Sequence, residues 1–166
     1  DVGDVPMVTA AVLDGAAIPP DATRLLVKTR NALLWEQSPN DFREDFVGLD
    51  CSGAEWIVSH GITLVGLDYL SIAAFSHATP VHHILMAADV IIVEGLALRV
   101  VASGTYQATI LPLRLVGAEA APARGPPGAA SRPQRRCAGA ARGAQDARSR
   151  GRWARESAAA RQGAQR

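Results

Sequence analysis

Two residues of this chain combine a chemically useful pairing with a spacing that a fold can exploit: His82 and Glu94. An imidazole beside a carboxylate is half of a divalent-metal site. The same pair has blander uses, because such a histidine often caps or packs and such a glutamate often ends a strand in solvent. What brings them together is a predicted reversal of the chain. A helix from His82 to Ala88 climbs about 9 Å, and a strand from Val90 to Glu94 returns about 13 Å. With a turn near Asp89, His82 and Glu94 finish at the same end of the layer.

The elements that must position them lie between Gly61 and Leu96. Ile62–Leu67 is a β-branched apolar run and reads as a strand ending at Asp68. Val90–Val93 is apolar on both faces, the pattern of a strand in the middle of a sheet. Between them Thr79 is placed to cap a helix and Pro80 to occupy its first position, with His82 and His83 in the first turn. His83 points about 100° away from His82 around that helix. Upstream, Thr9 caps a short helix that Pro19 and Pro20 end, and Arg24–Thr29 reads as a buried strand. Arg30, Asn31 and Trp35 follow in a loop. Pro39-Asn40 marks a turn, and Phe42 and Phe46 anchor the polar stretch around it. Ser52 and Glu55 have capping-box spacing for a helix over 53–60, and Gly61 is its left-handed stop. Arg99–Val101 and Thr105–Val116 read as strands, the latter at an edge because it contains Pro112.

Other candidates divide between chemistry and architecture. Asp68 sits at a strand's C-terminal end, where α/β sheets collect their active sites. It serves either as a turn cap or as a group shaping the site, with Ser71 in reach to hydrogen-bond it. Trp35 is either a lid on the core or a wall facing substrate. His60 reads as a structural residue at a helix end, and His77 as an exposed loop residue.

Four runs then carry a resemblance: LVKTRNALLW, DFVGLDCSGAEWIVSHGITLVGLDYLSIAAF, PVHHILMAADVIIVEGL and YQATILPLRLVGAEAAPAR. With their T-R-N-x-x-x-W, V-G-x-D-x-x-S and H-x11-E elements in order, residues 8–124 resemble the cyclase family, which includes bacterial kynurenine formamidase (arylformamidase) and isatin hydrolase. The resemblance implies an α/β fold of the swivelling β/β/α type and a metal-dependent hydrolase holding one or two divalent ions, zinc or manganese. It implies that His82 and Glu94 are metal ligands. It also implies an H-x-x-x-H-x-D-x-P segment with three more ligands, and a general acid–base histidine in the same N-terminal region. No histidine occurs before Thr29. The catalytic residues are therefore unknown here, and the chain reads as an N-terminally truncated copy.

Composition divides the chain into a partial domain, 1–124, and a tail, 125–166. Up to Arg124 the charge balance is −7, and from Gly125 it is +8. The tail contains no Ile, Leu, Val, Met or Phe, so it cannot bury enough apolar surface to offset ordering and reads as disordered. Its Arg/Ala/Gly bias is that of a GC-rich coding sequence in a wrong frame. Without repeated aromatics or a regular motif it is not read as a nucleic-acid-binding arm. The two cysteines, Cys51 and Cys137, fall in different halves and make no disulfide framework. The absence of an eighteen-residue apolar run argues against a membrane span. The resemblance implies a homo-oligomer acting on a small-molecule substrate, and a cytoplasmic location is expected.

The resemblance implies hydrolysis of N-formyl-L-kynurenine to L-kynurenine and formate, in tryptophan catabolism. Two alternatives stay open: another hydrolase of the same family acting on a cyclic amide or lactone, and a metal-free inactive fragment.

Overall fold

A computed structural model describes residues 1–37 and 41–125. The turn expected at Pro39-Asn40, the tail from residue 126 onward and Cys137 lie outside the described residues. The elements in chain order are α1 (Ala10–Asp14), β1 (Arg24–Val27), α2 (Ala32–Gln37), α3 (Cys51–Ser59), β2 (Leu64–Leu67), α4 (Ala78–Ala87), β3 (Ile91–Val93), β4 (Leu111–Pro112) and β5 (Ala123–Arg124). A 3-10 turn, Phe75–His77, leads directly into α4.

β1, β2 and β3 form one parallel sheet in that order, with Arg24 opposite Leu64 and Leu64 opposite Ile91. Parallel strands need crossovers. α3 lies on the crossover from β1 to β2 and α4 on that from β2 to β3, and the two helices pack on each other while α1 packs on α3. A second row of extended chain runs through Val8, Leu49 and Ala73, joined by isolated parallel bridges. Val8, Leu49, Ile57, Val65, Leu67, Ile72, Val81 and Leu85 are fully buried between these layers. The result is the expected mixed α/β order. Among the described residues no helix is long and apolar enough to cross a membrane.

Several local expectations are corrected. Val90–Val93 was expected in the sheet's centre, but β2 takes that place and β3 lies at the end of the sheet order, with Ile91 60% exposed. An apolar run signals burial without saying which strand neighbours it. Thr79 does not cap α4: the preceding 3-10 turn starts the helix at Ala78 with His77 at the N-cap, so Pro80 sits at the third position, where its missing N–H still costs nothing. His82 and His83 consequently fall beyond the first turn. Asp50, not Ser52, caps α3, its Oδ1 accepting from the Gly53 N–H at 2.8 Å, and the helix begins at Cys51. The Ser52 hydroxyl instead donates to Asp50 Oδ1 and accepts from the Ala10 N–H. Trp35 stands on the short helix α2 rather than in a loop. Arg99–Val101 is not a strand, and of Thr105–Val116 only Leu111–Pro112 pairs, antiparallel with Ala123–Arg124. Pro112 is compatible with that edge position.

Other readings hold. Thr9 caps α1 by accepting from the Val12 N–H, and Gly61 takes φ +68°, the left-handed turn after α3. Asp89 also has positive φ, +54°, which Asp tolerates better than most residues. It marks the reversal between α4 and β3.

Candidate metal centre

His82 and Glu94 meet. Nε2 of His82 lies 3.4 Å from Oε1 of Glu94, and each side chain is about one-third exposed. Two backbone groups hold them. Nδ1 of His82 is 2.7 Å from the carbonyl of Ala78, one turn earlier on α4. A carbonyl only accepts, so Nδ1 carries the hydrogen, and in the neutral ring the Nε2 lone pair faces Glu94. Glu94, directly after β3, accepts at Oε1 from the Ile72 N–H at 2.8 Å. The Gly95 N–H donates to the Tyr69 carbonyl and the Leu96 N–H to the Leu67 carbonyl, tying the chain after β3 to the end of β2.

A lone pair facing a carboxylate oxygen repels it unless a proton or a cation lies between. Two ligands each about 2.1 Å from a tetrahedral ion stand about 3.4 Å apart, which is the separation found here. A backbone carbonyl that sets the tautomer of a ligating histidine is the usual outer contact of such sites. The donor set therefore fits two ligands of a divalent ion. It falls short of the three protein ligands of a catalytic site, since among the described residues no group of three or more His, Cys, Asp or Glu is arranged to hold an ion.

The remaining candidates sort as follows. Asp68 is fully buried. Its Oδ2 accepts from the Thr29 N–H at 2.9 Å and its Oδ1 from the Thr29 hydroxyl at 2.8 Å, so it pins the end of β1 to the end of β2. Burial pushes its carboxyl above the usual range, opposed by those two hydrogen bonds. Its carbonyl accepts from Trp35 Nε1 at 2.9 Å. Trp35 is 38% exposed with its ring 5.4 Å from that of Tyr69. Thr29, not Ser71, bonds the Asp68 carboxylate, and the Ser71 hydroxyl accepts from the Ala73 N–H in its own turn. His83 is exposed, and His77 contacts the Ser76 hydroxyl. His60 stacks on Trp56 at 3.7 Å, an architectural contact. A cavity of about 200 Å³ beside Leu13, Pro19, Trp56, His60 and Ile62 contains none of the paired residues.

Sequence reasoning missed Asn31. Its fully buried amide donates to the Val47 carbonyl at 2.7 Å and accepts from the Val47 N–H at 2.8 Å. That bond fixes the segment whose Leu49 pairs with Ile72 and Ala74, next to the amide that holds Glu94. The T-R-N run was visible, but nothing local identifies a partner sixteen residues away.

No family model matches the chain. It is 43% identical over 129 residues to cyclase-like protein 2 of Oryza sativa subsp. japonica, covering 73% of this chain and 46% of that protein. It is 37% identical to the kynurenine formamidase of Maricaulis maris, covering 74% and 56%. A solved structure described as a potential metal-dependent hydrolase with cyclase activity superposes with a TM-score of 0.63 at 32% identity, covering 72% of this chain and 57% of that one. A predicted metal-dependent hydrolase from Bacillus stearothermophilus gives the same score and identity. The chain spans about half the length of the curated relatives it matches.

Proposed function

From a chain that is a relative of the cyclase-like proteins and kynurenine formamidases, we propose that His82 and Glu94 are two ligands of a divalent-metal site in an amide hydrolase. The observation that supports this is the 3.4 Å approach of Nε2 to a carboxylate oxygen while Nδ1 is committed to a backbone carbonyl. The finer reading is an arylformamidase that converts N-formyl-L-kynurenine to L-kynurenine and formate, with zinc or manganese as the ion. A divalent ion there supplies a Lewis acid for the amide carbonyl and lowers the pKa of a bound water. His82 would offer its Nε2 to the ion, because the Ala78 carbonyl engages Nδ1. Glu94 adds negative charge and is kept from swinging away by the Ile72 N–H. A complete site takes at least one further ligand from outside the described residues, and a second subunit is one source.

Calorimetric titration of the full chain with Zn²⁺ tests the ligand roles. Binding is expected to be weak, as suits two ligands, and to disappear in His82→Ala and in Glu94→Ala. Equal binding by either variant would overturn the assignment.

A further inference from the structure

The cavity of about 200 Å³ beside α1 and α3 brings together a second imidazole and a second carboxylate. Leu13, Ile18, Pro20 and Ile62 make its walls apolar, and Asp14, Trp56 and His60 supply its polar groups. Trp56 links the other two. Its Nε1 donates to Asp14 Oδ1 at 2.6 Å. Its ring stacks on that of His60, with centroids 3.7 Å apart and planes 14° from parallel. Both side chains are thus held at the cavity although both residues are exposed.

What these groups still offer is acceptor capacity. Nδ1 of His60 is 2.9 Å from the Trp56 carbonyl. A carbonyl only accepts, so Nδ1 carries the hydrogen and the neutral ring presents the Nε2 lone pair. Asp14 commits one oxygen to Trp56, and among the described residues no cation pairs with its charge. His60 is also the C-cap of α3, and the last carbonyls of a helix carry partial negative charge that favours a cation. Residues 1–124 have a net charge of −7, which draws cations to the surface.

An occupant that suits this cavity donates hydrogen bonds, carries positive charge and buries carbon against the walls. An inorganic ion gains nothing from Leu13, Ile18, Pro20 and Ile62, and an organic anion is repelled by Asp14. At about 30 Å³ of liquid volume per water, the space holds about six or seven non-hydrogen atoms. We infer that the cavity binds a small primary alkylammonium ion, held by the Asp14 carboxylate and Nε2 of His60, with its chain on the apolar wall. The cavity contains neither His82 nor Glu94, and the inference does not rest on the hydrolase reading. A free amine and a lysine side chain share this chemistry, and the experiment separates them.

The probes are isopentylammonium, isopentanol and isovalerate, which share one branched carbon skeleton and differ in the polar end. Dissociation constants of the full chain are measured by saturation-transfer NMR. Isopentylammonium is expected to bind about 5- to 10-fold more tightly than isopentanol, the gain of a charged over a neutral hydrogen bond, and isovalerate is expected to bind more weakly than either. Asp14→Asn keeps an oxygen for Trp56 Nε1 but removes the charge, and is expected to bring the amine and the alcohol within about 2-fold. His60→Phe keeps a ring on Trp56 but removes the Nε2 acceptor, and is expected to narrow the preference as well. His82→Ala is expected to leave it unchanged. Equal binding of the amine and the alcohol by the native chain overturns the inference, as does isovalerate binding as tightly as the amine. An undiminished preference in either cavity variant with native circular dichroism overturns it too. So does loss of the preference in His82→Ala, which would put the amine at Glu94. Nα-acetyl-lysinamide distinguishes the sources: weaker binding than isopentylammonium supports a free amine, and binding at least as tight overturns that choice in favour of a lysine side chain.

Discussion

Asn31→Ala removes a fully buried amide whose two hydrogen bonds both go to Val47, itself fully buried. Alanine leaves the Val47 carbonyl and N–H facing a gap with no partner. An orphaned buried polar group costs about 1–3 kcal/mol. Two of them, sharing one gap, put the loss at about 2–6 kcal/mol, its lower end applying if a water enters and bridges both. A domain of this size has about 5–15 kcal/mol of total stability, so the variant is expected near the unfolding threshold at 25 °C. Urea denaturation, followed by tryptophan fluorescence and far-ultraviolet circular dichroism, measures the loss. Asn31→Asp should be at least as damaging, since a second carboxylate oxygen would then face the Val47 carbonyl. Asn31→Ala within about 0.5 kcal/mol of the native chain, the range of ordinary surface changes, would refute the account of this bond as the clamp between residues 29–31 and 46–49.

Three further outcomes are expected. Gly48→Ala would place a Cβ 2.2 Å from the Ala74 backbone nitrogen and 2.3 Å from the Ala73 carbonyl carbon, which only main-chain movement relieves; a cost of about 3 kcal/mol or more, at the upper end for overpacking, is expected in the same urea assay. Glu94→Gln keeps a side-chain oxygen for the Ile72 N–H but loses the charge, so Zn²⁺ affinity is expected to fall at least about 10-fold while stability changes by less than about 0.5 kcal/mol, a split read by calorimetry and urea titration together. Asp68 has a folded pKa raised above its ordinary 3.8 by burial, so its contribution to stability is complete below that value and is lost as pH rises through the folded value. Asp45, lowered by its hydrogen bond to Arg43, acts in the opposite sense and is present in both chains. The native-minus-Asp68→Asn stability difference is therefore expected to decline with rising pH, and a flat or rising difference would contradict the burial effect.

Local and medium-range features were legible in the residue order. The runs RLLVKT and ITLVGL become the neighbouring strands β1 and β2 because β-branched and apolar residues pair and bury in few ways. Gly61 and Thr9 act within a turn of their own positions. The approach of His82 to Glu94 was legible too, since a ten-residue helix, a tight reversal at Asp89 and a short strand leave the chain little freedom over twelve residues. The clamps that hold the site are of another kind. Asp68 with Thr29, Trp35 with the Asp68 carbonyl, and Asn31 with Val47 span 39, 33 and 16 residues. Asp and Asn have as many local uses as distant ones, so their partners emerge only once the sheet order brings strand ends together. The same holds for the placing of β3 at the end of the sheet and for the gathering of five aromatic rings into one group: hydropathy records that a residue leaves water, and only the packed chain decides what it then meets.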